Sequence, residues 1–424
     1  MYDKASLALI PSGTKDGTLY SVLPADGDGD FDHTRATSAT RVNKDGLIES
    51  VASGVPRLDY PLIDGVVQDC PALLLEPSRT NLVTYSEDFS EWTLSNSSVL
   101  SSQVVSPDGT QNADKVIASA TNTTHFVAII PSVSATTTYT FTLYAKSDEY
   151  ERLYIRQGTG NSPSAAVYDL NGVGAVLETY GSPLDTSIEL VGNEWYKITL
   201  TNITSSTSPN FAPNITGIPN SGYSADADGV TFLGDGTSGV FIWGAQLEEG
   251  SYATSYIPTS GSTVTRNADV CENAGNADLF NDNEGVLFAE FSMLNDSDTS
   301  NRYISLSDGS PDNSIMFQIT GGGDLNLYNN GTSNENRIDT YLADLTQDIK
   351  VAVQYGQNTS DYKVYINGVS QSLNSSFVAE TISGLDNLSI DYPTFDFKFN
   401  GKVKQLMVFN EALTDAELIE LTTI

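Results

Sequence analysis

Carboxylates alternate with glycine in Asp26-Gly-Asp-Gly-Asp-Phe-Asp32. That spacing can wrap hard oxygen ligands around Ca²⁺, as in the first half of an EF-hand loop. Asp26, Asp28, Asp30 and Asp32 are therefore the candidate Ca²⁺ ligands. The twelfth position, where an EF-hand has its bidentate Glu, is Thr37, so an acidic surface turn is the competing reading. Asp226, Asp228 and Asp235 form a second, sparser acidic group. The only two histidines, His33 and His125, are too isolated for a zinc site. No G-x-S-x-G nucleophile elbow accompanies either. No Walker A loop or dinucleotide-binding glycine fingerprint follows a strand. Trp92, Tyr144, Tyr154 and Tyr355 are aromatic rings that either offer sugar-stacking platforms or belong to the core. No catalytic residue stands out, and the chain reads as a non-enzyme.

The elements that must hold these residues are strands. The 424 residues suffice for two or three domains. Tyr (21 residues) and Gly (34) are abundant, and Asn-Gly and Asp-Gly pairs recur; both trends favour strands joined by tight turns. A net charge of −34 repels phosphate backbones and anionic bilayers, which argues against nucleic-acid and membrane partners. No apolar run approaches the ~20 residues of a membrane span, and the N-terminal apolar run is too short for a secretory signal. The two cysteines, Cys70 and Cys271, are too few for a disulfide framework and read as free thiols.

Three regions follow. Residues 1–84 carry short strand-like pieces broken by Gly, Asp and Pro. They suggest an extended attachment segment docking on a partner or on other copies, with a small independent domain as the alternative. Residues 85–268 show period-two alternation. Tyr139, Phe141, Leu143 and Ala145 share one face; so do Tyr196, Ile198 and Leu200, and so do Phe241, Trp243, Ala245 and Leu247. Residues 259–274 are a polar connector. Residues 269–424 hold a second series of strands, with turn signals at Asp308-Gly309, Asn330-Gly331 and Asn367-Gly368. A capping box at Thr414 and Glu417 opens one helix, with Leu418, Ile419 and Leu421 as its apolar side. The fold class is all-β: an extended N-terminal region, two jelly-roll sandwiches and one short C-terminal helix.

The last region has an ordered set of motifs. A strand at Glu284–Phe291 comes first, then Lys350–Tyr355 and Tyr362–Gly368, and finally Phe399–Asn410 running into Leu413-Thr-Asp-Ala-Glu-Leu418. This series resembles the concanavalin A-like lectin/glucanase superfamily, particularly its laminin G-like modules. The resemblance implies two antiparallel sheets with a glycan- or protein-binding rim. Retaining glycosidases of that superfamily carry alternating carboxylates in a pattern like E-x-D-x-x-E. Glu284 and Glu290 do not have that spacing, and fold alone does not imply activity.

The first two regions share a different set of words: Arg35–Glu49, Val55–Tyr60, Pro71–Asn81, Tyr85–Phe89, Gly244–Glu248, Ala253–Thr259 and Thr265-Arg266. Together they resemble fibre and receptor-binding proteins of tailed bacteriophages. That resemblance implies a virion protein, made in the host cytoplasm and carried on the extracellular particle. Residues 1–84 would attach it to other virion proteins, a homotrimer would be the natural fibre stoichiometry, and the distal sandwich would bind a host-surface glycan or protein. A virion-bound polysaccharide depolymerase and a purely structural capsid or tail decoration are the rival functions. Arg57 and Arg79 are expected to pair with Asp59 and Glu76.

Overall fold

The computed structural model describes residues 1–10, 14–15, 18–158, 163–204, 213–295, 300–329, 335–342, 344–393 and 398–424. Strands dominate, and the one α-helix among the described residues is Asp415–Thr422. The Asn330-Gly331 turn signal lies outside the described residues.

The middle sandwich packs two six-stranded sheets. One runs in the order Ser97–Val104, Ala113–Ala118, Gly239–Glu249, Thr138–Ser147, Trp195–Ile203, Asp185–Gly192. The other runs Thr93–Ser95, Phe126–Ala128, Asn214–Ile218, Arg152–Gln157, Ser164–Asp169, Ala175–Tyr180. Phe141, Leu143, Ile198 and Leu200 meet Ile155, Tyr168 and Ile215 between them, as the alternation predicts. The other face of Thr138–Ser147 is also buried: Thr140, Thr142 and Tyr144 are covered, although period-two alternation marks a strand with one exposed face. Tyr144 packs edge-on against Trp243, and Trp243 against Tyr256, at ring separations of 5.4 and 4.6 Å.

Alternation along Gly239–Glu249 departs from expectation. Val240 and Ile242 face the inner core, then Ala245 and Leu247 do, while Trp243 joins the outer aromatic cluster. The cause is a bulge opposite Thr142–Tyr144 with Gly244 at φ +66°. One extra residue flips every later side chain to the other face. The bulge thereby sends Gln246 and Glu248 outward, to a buried junction with the other regions.

The C-terminal sandwich is assembled from distant parts of the chain. Its larger, eight-stranded sheet runs Val369–Gln371, Lys363–Ile366, Ile349–Gly356, Glu284–Met293, Gly401–Phe409, Ala72–Leu75, Leu58–Asp59. The eighth strand, Leu7–Leu9, pairs with Leu406–Val408, while Leu73–Leu75 pairs with Gly401–Val403 on the same edge. The facing five-stranded sheet holds Glu335–Tyr341, Asp324–Asn329, Ser314–Ile319, Arg302–Ser307 and Asn387–Ser389. Leu7, Leu9, Leu73 and Leu75 lie in the core between the sheets, with Leu287, Phe291 and Phe317. Strands Leu7–Leu9, Leu58–Asp59 and Ala72–Leu75, from the region read as an extended attachment segment or a small domain, are thus built into this sandwich. They close the exposed edge of Gly401–Phe409, which would otherwise offer unpaired backbone groups. Asp32–Thr34 and Arg79–Asn81 pair in turn with Val270–Glu272 and Val264–Arg266 on the connector.

Asn367 and Gly368 adopt φ +48° and +78°, the two positive values of a type I′ hairpin turn. In the terminal helix the Thr414–Glu417 capping box forms. Leu418 and Leu421 are buried, but Ile419 is exposed: positions i and i+3 share a face, and the residue after the first turns away by about 100°.

Candidate functional site

The words shared by the first two regions converge on one buried ionic junction. Arg57 is fully buried. Its Nη1 donates to Glu76 Oε2 (2.6 Å), Ser255 Oγ (2.8 Å) and the Thr40 carbonyl (3.1 Å), and its Nη2 to Asp269. Arg35 Nη1 donates to Asp269 Oδ1 at 2.9 Å. Arg266 Nη1 lies 2.9 Å from Glu76 Oε2. Backbone N–H groups complete the carboxylates: Ser255 donates to Glu76 (2.7 Å) and Glu76 to Asp269 (3.0 Å). Burial by itself would raise the Glu76 carboxyl, but Arg266 and Arg57 outweigh it and hold it down at about 2. Asp269 is likewise buried, yet Arg57, His33 and Arg35 hold it well below the usual carboxylate range. Glu248 goes the other way: burial pushes it up despite donors from Thr254 and the nearby Arg266. Asn81 ties the same junction together, donating to the Ala245 and Ile257 carbonyls and accepting from Val83 and Leu247 N–H. The expected partners are thus exchanged in part. Asp59 pairs with Lys402 at 3.0 Å, and Arg79 lies over the Tyr252 ring, 5.4 Å from its centre.

Beside this junction a cleft of about 910 Å³ opens between the two sandwiches, within the usual range of small-ligand sites. Residues 40–76 line one side, including Thr40, Arg41, Asp59 and the half-buried Tyr60. The middle sandwich supplies Tyr144, Glu189 and Lys197; the C-terminal sandwich supplies Asp348, Lys402 and Lys404. Lys402 and Lys404 alternate on one strand and so point the same way. The walls mix apolar side chains such as Leu62, Ile63 and Leu294 with charged groups that are largely paired: Lys402 to Asp59, Lys404 to Asp348, Arg41 to Glu49. Glu189 and Lys197 sit directly opposite one another in register. A smaller hollow of about 150 Å³ adjoins the cleft and shares Glu189, Lys197, Ala253 and Leu294 with it. Its further walls carry Thr140, Ser187, Thr199 and Thr201.

The four aspartates proposed for Ca²⁺ diverge. Asp26 accepts from the Asp28 N–H (3.1 Å), Asp30 from the Ser21 N–H (2.9 Å), and Asp32 sits on a strand accepting from Asn273 (3.1 Å). The described residues contain no group of three or more His, Cys, Asp or Glu side chains able to hold a metal ion. Asp226 caps its own turn through the N–H groups of Asp228 and Gly229. Asp235 does the same through Ser238 and Thr237, whose donors depress its carboxyl.

Both histidines are internal. His33 contacts Asp269 at 3.4 Å, and His125 contacts three backbone carbonyls and the Phe232 ring. Trp92, Tyr154 and Tyr355 are buried, each donating to a carbonyl, of Tyr85, Asp226 and Asn281 respectively. Of the four aromatic candidates only Tyr144 reaches the cleft wall. Glu284 and Glu290 stand six residues apart on one strand, roughly 20 Å at ~3.3 Å per residue. That is too far for the carboxyl pair of a glycosidase, which spans about 5–9.5 Å.

The family model described as "Concanavalin A-like lectin/glucanases superfamily", of laminin G type, matches residues 275–419. The C-terminal sandwich is therefore a concanavalin A-like, laminin G-like domain. No curated relative matches the chain. Among solved structures, the CBM40 module of the Ruminococcus gnavus IT-sialidase, bound to α2,3-sialyllactose, is similar at 19% identity. The match covers 36% of this chain and 93% of that one, with a TM-score of 0.28. Domains LG4–5 of the mouse laminin α1 chain match at 12% identity over 70% and 90% of the two chains, TM-score 0.23. Trypanosoma rangeli sialidase matches at 12% over 78% and 62%, TM-score 0.30. At these scores the likenesses identify neither ligand nor activity.

Proposed function

We propose that this protein is a non-enzymatic glycan-binding component of a bacteriophage fibre, and that the cleft between its sandwiches takes the glycan. The observation that carries the proposal is the cleft bordering a concanavalin A-like domain, where donors and acceptors from all three regions stand among apolar side chains on its walls. The fibre assignment is supported by the shared words at Arg35–Glu49, Pro71–Asn81, Gly244–Glu248 and Ala253–Thr259. Presentation as a homotrimer on a virion would raise weak single-site binding through multivalency, and other virion proteins would hold the fibre. The binding reading over a depolymerase is supported by the wide separation of Glu284 and Glu290. No described helix is long and apolar enough to cross a membrane.

The test uses the full chain, because the C-terminal sandwich borrows strands from residues 7–75. Fluorescent protein is added to host cells before and after periodate treatment of their surface glycans. Labelling lost on treatment supports the proposal. Labelling that survives treatment points to a protein receptor, and incorporation into virions without cell labelling would establish the purely structural role. Release of reducing ends from host polysaccharide would establish the depolymerase instead.

A further inference from the structure

We infer that the ligand is an uncharged polysaccharide, bound along its chain through a trough made of the cleft and the adjoining hollow. The inference rests on the glycan-binding reading above and specifies its ligand. Its first ground is charge. The whole chain carries 54 acidic residues against 20 basic ones, yet the cleft is lined by four cations and five carboxylates. Most of these are already neutralised by protein partners: Lys402 by Asp59, Lys404 by Asp348, Arg41 by Glu49, and Glu76 by Arg57 and Arg266. No surplus of cations remains to hold a uronate, sulfate or phosphate. An approaching polyanion also meets the acidic exterior within a Debye length, about 8 Å at physiological ionic strength.

The second ground is hydrogen-bonding capacity. A sugar hydroxyl both donates and accepts, so it suits a wall where a carboxylate and an ammonium stand side by side. Glu189 and Lys197 are such a pair, opposite in register on adjacent strands, and neither side chain makes an ion pair or hydrogen bond with the described residues. They lie where the cleft and the hollow join. The third ground is shape. Beyond that join the trough continues over the hydroxyls of Thr140, Ser187, Thr199 and Thr201, which pair among themselves at 2.6–2.9 Å. A polar strip leading out of a cleft accommodates a polymer, whereas a closed pocket would select a chain end. Tyr60 on the cleft wall adds an apolar ring face for a sugar to lie against.

The experiment separates host surface polysaccharide by anion exchange into neutral and acidic fractions and measures binding of the full chain to each. The expected result is binding to the neutral fraction, nearly independent of salt between roughly 0.05 and 0.5 M. Size-fractionated oligosaccharides should bind more tightly as they lengthen. Glu189→Gln and Lys197→Ala should each weaken binding about tenfold or more, the effect of losing one charge-assisted hydrogen bond, with unchanged melting temperatures. Binding confined to the acidic fraction, or neutral binding indifferent to both substitutions, overturns the inference and leaves glycan binding standing. Binding to neither fraction removes the glycan reading itself, and the inference with it.

Discussion

The two sandwiches reach the same architecture by opposite routes. The middle one builds both sheets from a continuous stretch, Thr93 to Glu249. The C-terminal one takes three strands of its larger sheet from residues 7–9, 58–59 and 72–75. Its matched family segment, 275–419, therefore omits part of its own sheet and core. Fully burying a leucine is worth about 1.5–3 kcal/mol, so Leu7, Leu9, Leu73 and Leu75 together contribute roughly 6–12 kcal/mol. That is the scale of a whole domain's stability, about 5–15 kcal/mol. A boundary drawn along the sequence does not mark where this domain can be cut.

The sharpest break in the comparison is physical separation. A fragment of residues 85–268 is expected to melt cooperatively, whereas 269–424 alone should lack a cooperative transition and aggregate through the bared edge of Gly401–Phe409. Circular dichroism melts of the two fragments decide it. A cooperative melt from 269–424 would show that the N-terminal strands only decorate a self-sufficient sandwich.

The junction that joins the two routes supplies the next effects. Arg57→Ala leaves Glu76 and Asp269 buried beside an empty site, and breaking such a network typically costs about 3–5 kcal/mol. The loss should appear in denaturant titrations as a lower midpoint. A shift below about 1 kcal/mol would mean that Arg35 and Arg266 can neutralise both carboxylates unaided.

Acid probes the same network. Glu76 titrates near 2 when folded and near 4.5 when unfolded. A depressed carboxyl contributes stability above its unfolded value and loses it as pH falls through the folded one. The contribution, on the order of 3 kcal/mol, should drain away between about pH 4.5 and pH 2. Asp269 acts in the same sense, and Glu248, raised by burial, acts in the opposite one. Glu76→Gln should lower stability at neutral pH and flatten this acid limb. An unchanged acid slope in the variant would remove Glu76 from the explanation.

What was legible in the sequence was local. The strands, the Asn367-Gly368 turn and the helix cap follow from period two, positive-φ residues and side-chain capping, each set within a few positions. The C-terminal family was legible because its motifs lie in one continuous order. What stayed hidden depends on distant partners. Nothing near Leu7 or Leu73 says that its neighbour is Val408 or Val403. Arg57 sits two residues from Asp59, but adjacent strand positions i and i+2 project in parallel while Glu76 and Asp269 reach across from other segments. The cleft residues Glu189 and Lys197 belong to no motif, and Tyr60, though it ends the word Val55–Tyr60, carries no sign there of facing a cleft. The Asp26–Asp32 spacing suggests a metal loop; in the fold Asp26, Asp30 and Asp32 accept from three separate donors, the Asp28 and Ser21 N–H groups and Asn273, which spacing alone does not reveal.

The finest test lies at one glycine within the self-contained sandwich. Gly244 sits at φ +66°, and a Cβ there would come within 2.9 Å of the Tyr144 ring. Gly244→Ala combines left-handed strain with this clash, at a cost of about 1–3 kcal/mol. The bulge also decides which side of the strand Gln246 and Glu248 occupy. If the variant keeps the bulge, it should melt a few degrees lower with the junction and the Trp243 environment intact. If it abandons the bulge, register shifts by one, Ala245 and Leu247 leave the core, and the loss should far exceed 3 kcal/mol, with a changed Trp243 emission. A variant as stable as the parent would mean that the bulge does not depend on glycine. The middle sandwich would then owe its junction face to the surrounding segments, much as the C-terminal sandwich owes them its edge.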